Sequence, residues 1–206
     1  MSIKLTTGDR IAETSSKGNQ EKWRESGRWY KLDLFGYEGL AETVISTLLR
    51  QTNVEALGFR YVPYRMERLE VHRCVRNGCS SPDFLQPGES IFTLADLFRK
   101  GVGPDWHTAL TRQPNLAGKV RWMVEQTIRL TGLQRFGSYL TLLFEADMLF
   151  GNEDRHLNNI AVLRRGEGFD YCPLFDFGAG LLSNIRDYPL DIDPKAHIRL
   201  LRARPL

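Results

Sequence analysis

Hydrophobic and polar positions along the chain alternate between two periods. Between residues 37 and 51, Leu40, Val44, Thr47 and Leu48 fall near one helical face, and Ala41, Ile45 and Leu49 widen the stripe, which predicts a helix. Val120, Val124, Thr127 and Ile128 repeat the spacing within 119–131, and residues 94–100 begin a shorter helix. Residues 136–150 are apolar almost all round, which predicts a buried central helix, with Gly151 as its stop. Short runs rich in aromatic and β-branched residues predict strands at 29–33, 59–64, 69–75, 160–163 and 169–175. Turn signals separate them: Ser15 to Asn19, Gly27, Asn77-Gly78, and Arg164 to Gly168. Residues 80–90, with Pro82, Pro87 and Gly88, read as loop.

The first 93 residues are thus strand-rich with one helix, and residues 94–206 are helix-rich with one hairpin. This organisation predicts an α+β chain of two lobes facing one cleft, with the boundary near Thr93. Composition agrees: 206 residues, 42% hydrophobic and 26% charged, describe a globular chain and exclude collagen-like, coiled-coil and broadly disordered readings. A net charge of +3 suits a phosphate-bearing ligand and is too small to argue for nucleic acid. Three cysteines, Cys74, Cys79 and Cys172, build no disulfide framework, so a reducing cytoplasm is the expected location. The first ten residues lack the apolar stretch of a signal peptide. The run 139–150 is broken by Glu145 and Asp147 and falls far short of the ~20 residues that span a bilayer, so no membrane partner is expected.

Candidate chemistry concentrates in two segments. Gly151-Asn152-Glu153-Asp154-Arg155-His156-Leu157-Asn158-Asn159-Ile160 is a polar loop between the apolar helix and a strand, and Asp176-Phe177-Gly178 follows the hairpin. The hairpin between them would let Asn159 and Asp176 meet at its base. Two such oxygen donors suit a hard divalent cation such as Mg²⁺. Asp154, five residues before Asn159, would remain free to orient or deprotonate an acceptor hydroxyl, the division of labour that phosphoryl transfer requires.

Asp154-x-x-x-x-Asn159 followed by Asp176-Phe177-Gly178 resembles the catalytic loop and metal-binding motif of the protein-kinase-like superfamily. Asp-x-His-x-x-Asn resembles HipA-like serine/threonine kinases, and Gly-Asp-Arg-His-x-x-Asn-Ile, the loop of phosphatidylinositol kinases, is closely matched by Asp154 to Ile160. Gly36 to Glu42 at a helix start, with Cys79 to Leu85, looks like the small bacterial HipA-like and CtkA-like kinases. The resemblance runs from about Lys17 to the C-terminus.

It implies a bilobal protein-kinase-like fold: an antiparallel-sheet N-lobe with one helix, and a mainly helical C-lobe carrying a catalytic β-hairpin. It also implies ATP and Mg²⁺ as cofactors. Lys31 looks like the ATP-phosphate lysine, and Glu42, or else Glu38, would hold it. Lys17, Gly18 and Asn19 would lie in the phosphate-covering loop, which departs from the Gly-x-Gly-x-x-Gly pattern of ordinary protein kinases. Asn159 and Asp176 would hold Mg²⁺, Asp154 would be catalytic, and His156 would either orient Asp154 or touch the transferred phosphate. Thr14, Ser15 and Ser16 are candidate autophosphorylation sites. Such kinases commonly work beside a DNA-binding antitoxin, so an antitoxin or regulatory protein is an expected partner, together with a protein substrate. Related small kinases usually continue with more C-terminal helices, so an abbreviated helical lobe or a fragment is expected.

Three activities stay in view: a serine/threonine protein kinase, a lipid or small-molecule kinase suggested by Asp154-Arg155-His156, and a nucleotide-binding pseudokinase acting as an interaction module. Cys74 and Cys79, with His72 nearby, lack the second ligand pair that zinc needs. His107 and His197 are isolated. The basic tail, Lys195, Arg199, Arg202 and Arg204, reads as a solvated face.

Overall fold

A computed structural model describes residues 2–4 and 20–201 and divides the chain into two compact units. Of the described residues, the first comprises those up to Phe84, Asp147–Asp154 and those from Leu174 onward; the second comprises Leu85–Ala146 and Arg155–Pro173.

The first unit is built on a five-stranded sheet. Its strands are β1 (Ser2–Lys4), β2 (Lys22–Glu25), β3 (Arg28–Leu32), β4 (Arg65–Val71) and β5 (Cys74–Pro82), in the order β1-β4-β5-β3-β2. All pairings are antiparallel except β1 with β4. Trp23, Tyr30, Leu32, Leu69 and Val71 point into one core, where Trp23 and Tyr30 stack with centroids 5.4 Å apart. Helix α1 (Glu38–Leu49) lies against β4 and β5 and buries Ala41, Glu42, Ile45, Ser46 and Leu49.

Two of the predicted boundaries move. Asn77-Gly78 is not a turn but the middle of β5, where Leu32 pairs with Gly78 and Lys31 with Cys79. The turn falls instead at His72 and Arg73, both left-handed (φ 50° and 64°). Gly78 serves closeness rather than reversal: a Cβ there would stand 2.1 Å from the Lys31 carbonyl oxygen. Residues 59–64 form no strand. Around Pro63, which has no N–H to give a ladder, they make one bridge, Tyr61 to Leu174, flanked by the Val62 and Leu174 amides donating across it (2.9 and 2.8 Å).

The second unit is mostly helical. It contains α2 (Leu94–Gly101), α3 (Trp106–Thr111), α4 (Leu116–Thr131) and most of α5 (Phe136–Phe150), whose last turn belongs to the first unit. Thr93 caps α2 by accepting from Asp96 N–H, and Asn115 caps α4 by accepting from Gly118 N–H. Phe98, fully buried, meets Trp106 and Trp122 at 5.9 and 5.2 Å. A second sheet orders β6 (Glu89–Thr93), β7 (Ala161–Arg165) and β8 (Gly168–Tyr171) antiparallel. Strand β6 occupies part of the stretch read as loop, and β8 ends earlier than its apolar run suggests.

Helix α5 is not buried all round. Tyr139, Leu140, Leu143, Ala146 and Phe150 are buried, whereas Met148 and Leu149 are 72% and 73% exposed. The first unit closes with α6 (Pro194–Leu200). No helix among the described residues is long and apolar enough to cross a membrane.

Candidate functional site

The first unit gathers charge at one corner. Strand β3 alternates inward Tyr30 and Leu32 with Lys31, whose side chain is only 16% exposed. Nζ of Lys31 donates to Glu42 Oε1 at 2.9 Å and to Asp176 Oδ1 at 2.8 Å. The Tyr64 ring centroid lies 5.4 Å away. Burial works against the ammonium, but the Asp176 and Glu42 carboxylates outweigh it and hold its pKa well above the ordinary lysine value. Burial pushes the Glu42 carboxyl up, with the Lys31 charge pulling the other way. Tyr64 and Cys79 line the same corner, and burial, reinforced by the Glu42 charge, raises both.

The local chain explains why Glu42 is the partner. Glu38, one turn earlier, accepts from three consecutive amides: Leu34 (3.2 Å), Phe35 (2.6 Å) and Gly36 (3.2 Å). Asp33 Oδ1 accepts from Gly39 N–H at 2.6 Å. These two carboxylates tie the β3–α1 connection at both ends and set the helix so that Glu42 reaches Lys31. The second oxygen of Glu42 accepts from Phe177 N–H at 3.0 Å, which binds the Asp-Phe-Gly segment to α1.

Asp176 adopts φ 63°, a left-handed conformation that Asp tolerates better than most residues. Phe177 is buried against Phe150, edge-on at 6.5 Å. Leu181 and Leu182 are also left-handed (φ 55° and 59°), and the Tyr37 hydroxyl, at the start of α1, donates to their carbonyls at 3.3 and 2.9 Å. Asp154 lies in the first unit, partly exposed, in the loop after α5.

In the second unit the loop that begins with Arg155 is held by local bonds. Arg155 is 1% exposed, and its Nη1 donates to the Asn159 carbonyl at 2.8 Å. Asn159 N–H donates to the His156 carbonyl at 2.8 Å. The first turn of α2 holds the loop from behind, Leu94 and Ala95 amides donating to the Ile160 and Leu157 carbonyls (2.8 and 3.3 Å).

Of the residues singled out by sequence, the structure therefore brings Lys31, Glu42 and Asp176 into contact and assigns Glu38 to the backbone. It places Asp154 with the first unit, and His156 and Asn159 with the second. Lys17, Gly18, Asn19 and the candidate phosphoacceptors Thr14, Ser15 and Ser16 lie outside the described residues, as do Arg202 and Arg204. Tyr64 and Asp33 escaped the sequence reading. Asp33, two residues after the strand lysine and six before a glycine amide, carries a weak signal as a helix-start acceptor; Tyr64 carries none.

The donor chemistry accommodates Mg²⁺. Among the described residues no group of three or more His, Cys, Asp or Glu side chains could cage a metal. Mg²⁺ carried on phosphates needs no cage, only one or two hard oxygen ligands, and in the first unit the Asp176 carboxylate is a donor of that kind.

No protein-family model matches the chain, and no curated protein matches it. Among solved structures, the chain is similar to CtkA, a proinflammatory kinase of Helicobacter pylori, with a TM-score of 0.63 and 16% sequence identity. The match covers 90% of this chain and 64% of that one, so the chain spans less than two thirds of that kinase's length. The fold is α+β and kinase-like.

Proposed function

We propose that the protein is an ATP- and Mg²⁺-dependent serine/threonine protein kinase of the HipA-like type. The observation that carries this reading is the largely shielded Lys31 ammonium, held at 2.9 Å by Glu42 and 2.8 Å by Asp176. A strand lysine paired to a helix glutamate, beside the Asp of an Asp-Phe-Gly segment, is the arrangement that protein kinases use to hold a triphosphate and its Mg²⁺.

Lys31 neutralises charge on the ATP phosphates, and Glu42 fixes its stem so that little side-chain freedom is lost on binding. Asp154 accepts the proton of the attacking hydroxyl or orients that hydroxyl in line. Asp176 and Asn159 would hold Mg²⁺, which supplies charge neutralisation across the phosphates when bound. Arg155 serves the loop, because its buried guanidinium donates to the chain's own carbonyl. Lys17, Gly18 and Asn19 enter as phosphate-covering residues on their sequence alone. The three cysteines are free thiols, which suits a cytoplasmic protein, and an antitoxin or regulatory protein is the proposed partner.

Incubation with labelled Mg-ATP and a generic protein substrate tests the reading. Wild type should label protein and Asp154→Ala should not. Equal labelling by both, or labelling of phosphoinositide vesicles in preference to protein, overturns it.

A further inference from the structure

Between the end of α5 and Asp154 the chain is held twice. The Asn152 amide donates to the Asp147 carbonyl at 2.8 Å, and its side-chain Nδ2 donates to Asp147 Oδ1 at 2.7 Å. Both residues are buried, Asn152 at 0% exposed and Asp147 at 1%. The next residue, Glu153, accepts from the Tyr188 hydroxyl at 2.7 Å. Tyr188 is itself seated: its ring meets His197 edge-on at 5.4 Å, and His197 Nε2 lies 3.0 Å from the Pro189 carbonyl oxygen.

Ending a helix does not require this. Gly151, left-handed at φ 62°, already reverses the chain. Burying a carboxyl group and an amide costs free energy, and Asn152 Oδ1 is buried without accepting any hydrogen bond. Two hydrogen bonds at residue 152 and one at residue 153 leave Asp154 as the next residue, its backbone approach fixed while its side chain remains partly exposed.

We propose that Asn152, locked to Asp147, and Tyr188, locked to Glu153, are positioning residues that fix Asp154 for phosphoryl transfer. This rests on the kinase reading given above. Neither residue touches the reacting atoms. They narrow the range of positions from which Asp154 meets the acceptor hydroxyl, so their loss lowers turnover without weakening nucleotide binding. The Tyr188 arm also makes the C-terminal segment part of the catalytic loop's support.

Three variants test the proposal, with kcat, KM for ATP, and amide hydrogen exchange of the peptide spanning 150–156 as readouts. Tyr188→Phe removes one hydroxyl and should lower kcat about tenfold, with KM for ATP changed by less than about twofold. Asn152→Ala should lower kcat further and speed exchange of the loop amides. The swap Asp147→Asn with Asn152→Asp keeps an amide-to-carboxyl bond across the same pair and should recover most of the kcat lost in Asn152→Ala. Unchanged loop exchange in both Asn152→Ala and Tyr188→Phe overturns the clamp. So does faster exchange with kcat unchanged, or a swap no better than Asn152→Ala. Should Asn152→Ala fail to fold, Tyr188→Phe decides by the same two readouts. If the wild type transfers no phosphate, the kinase reading fails and with it the catalytic role, whereas the exchange arm still shows whether the loop is clamped.

Discussion

Each unit buries a cation, and the two are held in different ways. Lys31 in the first unit meets two carboxylates, one eleven residues away and one 145 residues away. Arg155 in the second donates to a carbonyl four residues on and shapes its own turn. A lysine bound to two carboxylates can exchange one of them for phosphate oxygens and keep the other, because the incoming charge replaces what it displaces. An arginine whose bonds close a local turn has structure to lose if it lets go. Under the proposed function, the first arrangement suits a ligand-exchanging site and the second a scaffold.

The largest expected effect separates these roles. Lys31→Met leaves Glu42 and Asp176 facing each other without a cation, which should cost about 3–5 kcal/mol of stability at neutral pH in chemical denaturation. It should also abolish the thermal stabilisation given by Mg-ATP. The pH dependence has a definite sign. Burial raises the folded pKa of Glu42, so the folded state holds the proton at pH values where the unfolded chain has released it. Stability of the variant then falls as pH rises above the unfolded value and recovers toward acid, so the gap to wild type narrows as pH drops. A gap that is constant with pH would sink the ion-pair account.

Arg155→Leu comes next. Removing the donor to the Asn159 carbonyl should cost about 2 kcal/mol, yet Mg-ATP should still raise the melting temperature of the variant. Loss of that nucleotide response would erase the contrast with Lys31. Glu38→Ala takes one acceptor from three backbone amides and should cost about 1–2 kcal/mol, with Glu38→Gln recovering part of it. The smallest effect is chemical. Cys74 is exposed, whereas Cys79 and Cys172 are buried and burial raises the Cys79 thiol. Since the thiolate is the reactive form, iodoacetamide at neutral pH should add once to the native protein and three times after denaturation.

What could be read from the sequence follows from the range of the interactions. Helices α1, α4 and α5 and the β7–β8 hairpin show in local periodicity, and Asp154, Asn159 and Asp176 stand in spaced motifs. Strand β2 was hidden, because its single buried aromatic, Trp23, sits among charged residues. Asn77-Gly78 misled because the glycine answers to a neighbouring strand and not to its own backbone. The exposed end of α5 is illegible for a related reason: an apolar residue shows its character in sequence and its neighbours only in space. The Tyr64 ring over Lys31 and the Tyr188 bond to Glu153 join residues 33 or more positions apart, with no repeating pattern to announce them.

The paired leucines after the Asp-Phe-Gly segment behave as a wound spring. L-residues held in the left-handed region store roughly 1–2 kcal/mol each, and Leu181 and Leu182 are held there side by side. The Tyr37 phenol grips both carbonyls from the start of α1, and the Leu181 amide donates to the Phe150 carbonyl at 2.8 Å. One phenol thus ties the strained pair to the root of the helix that carries Glu42.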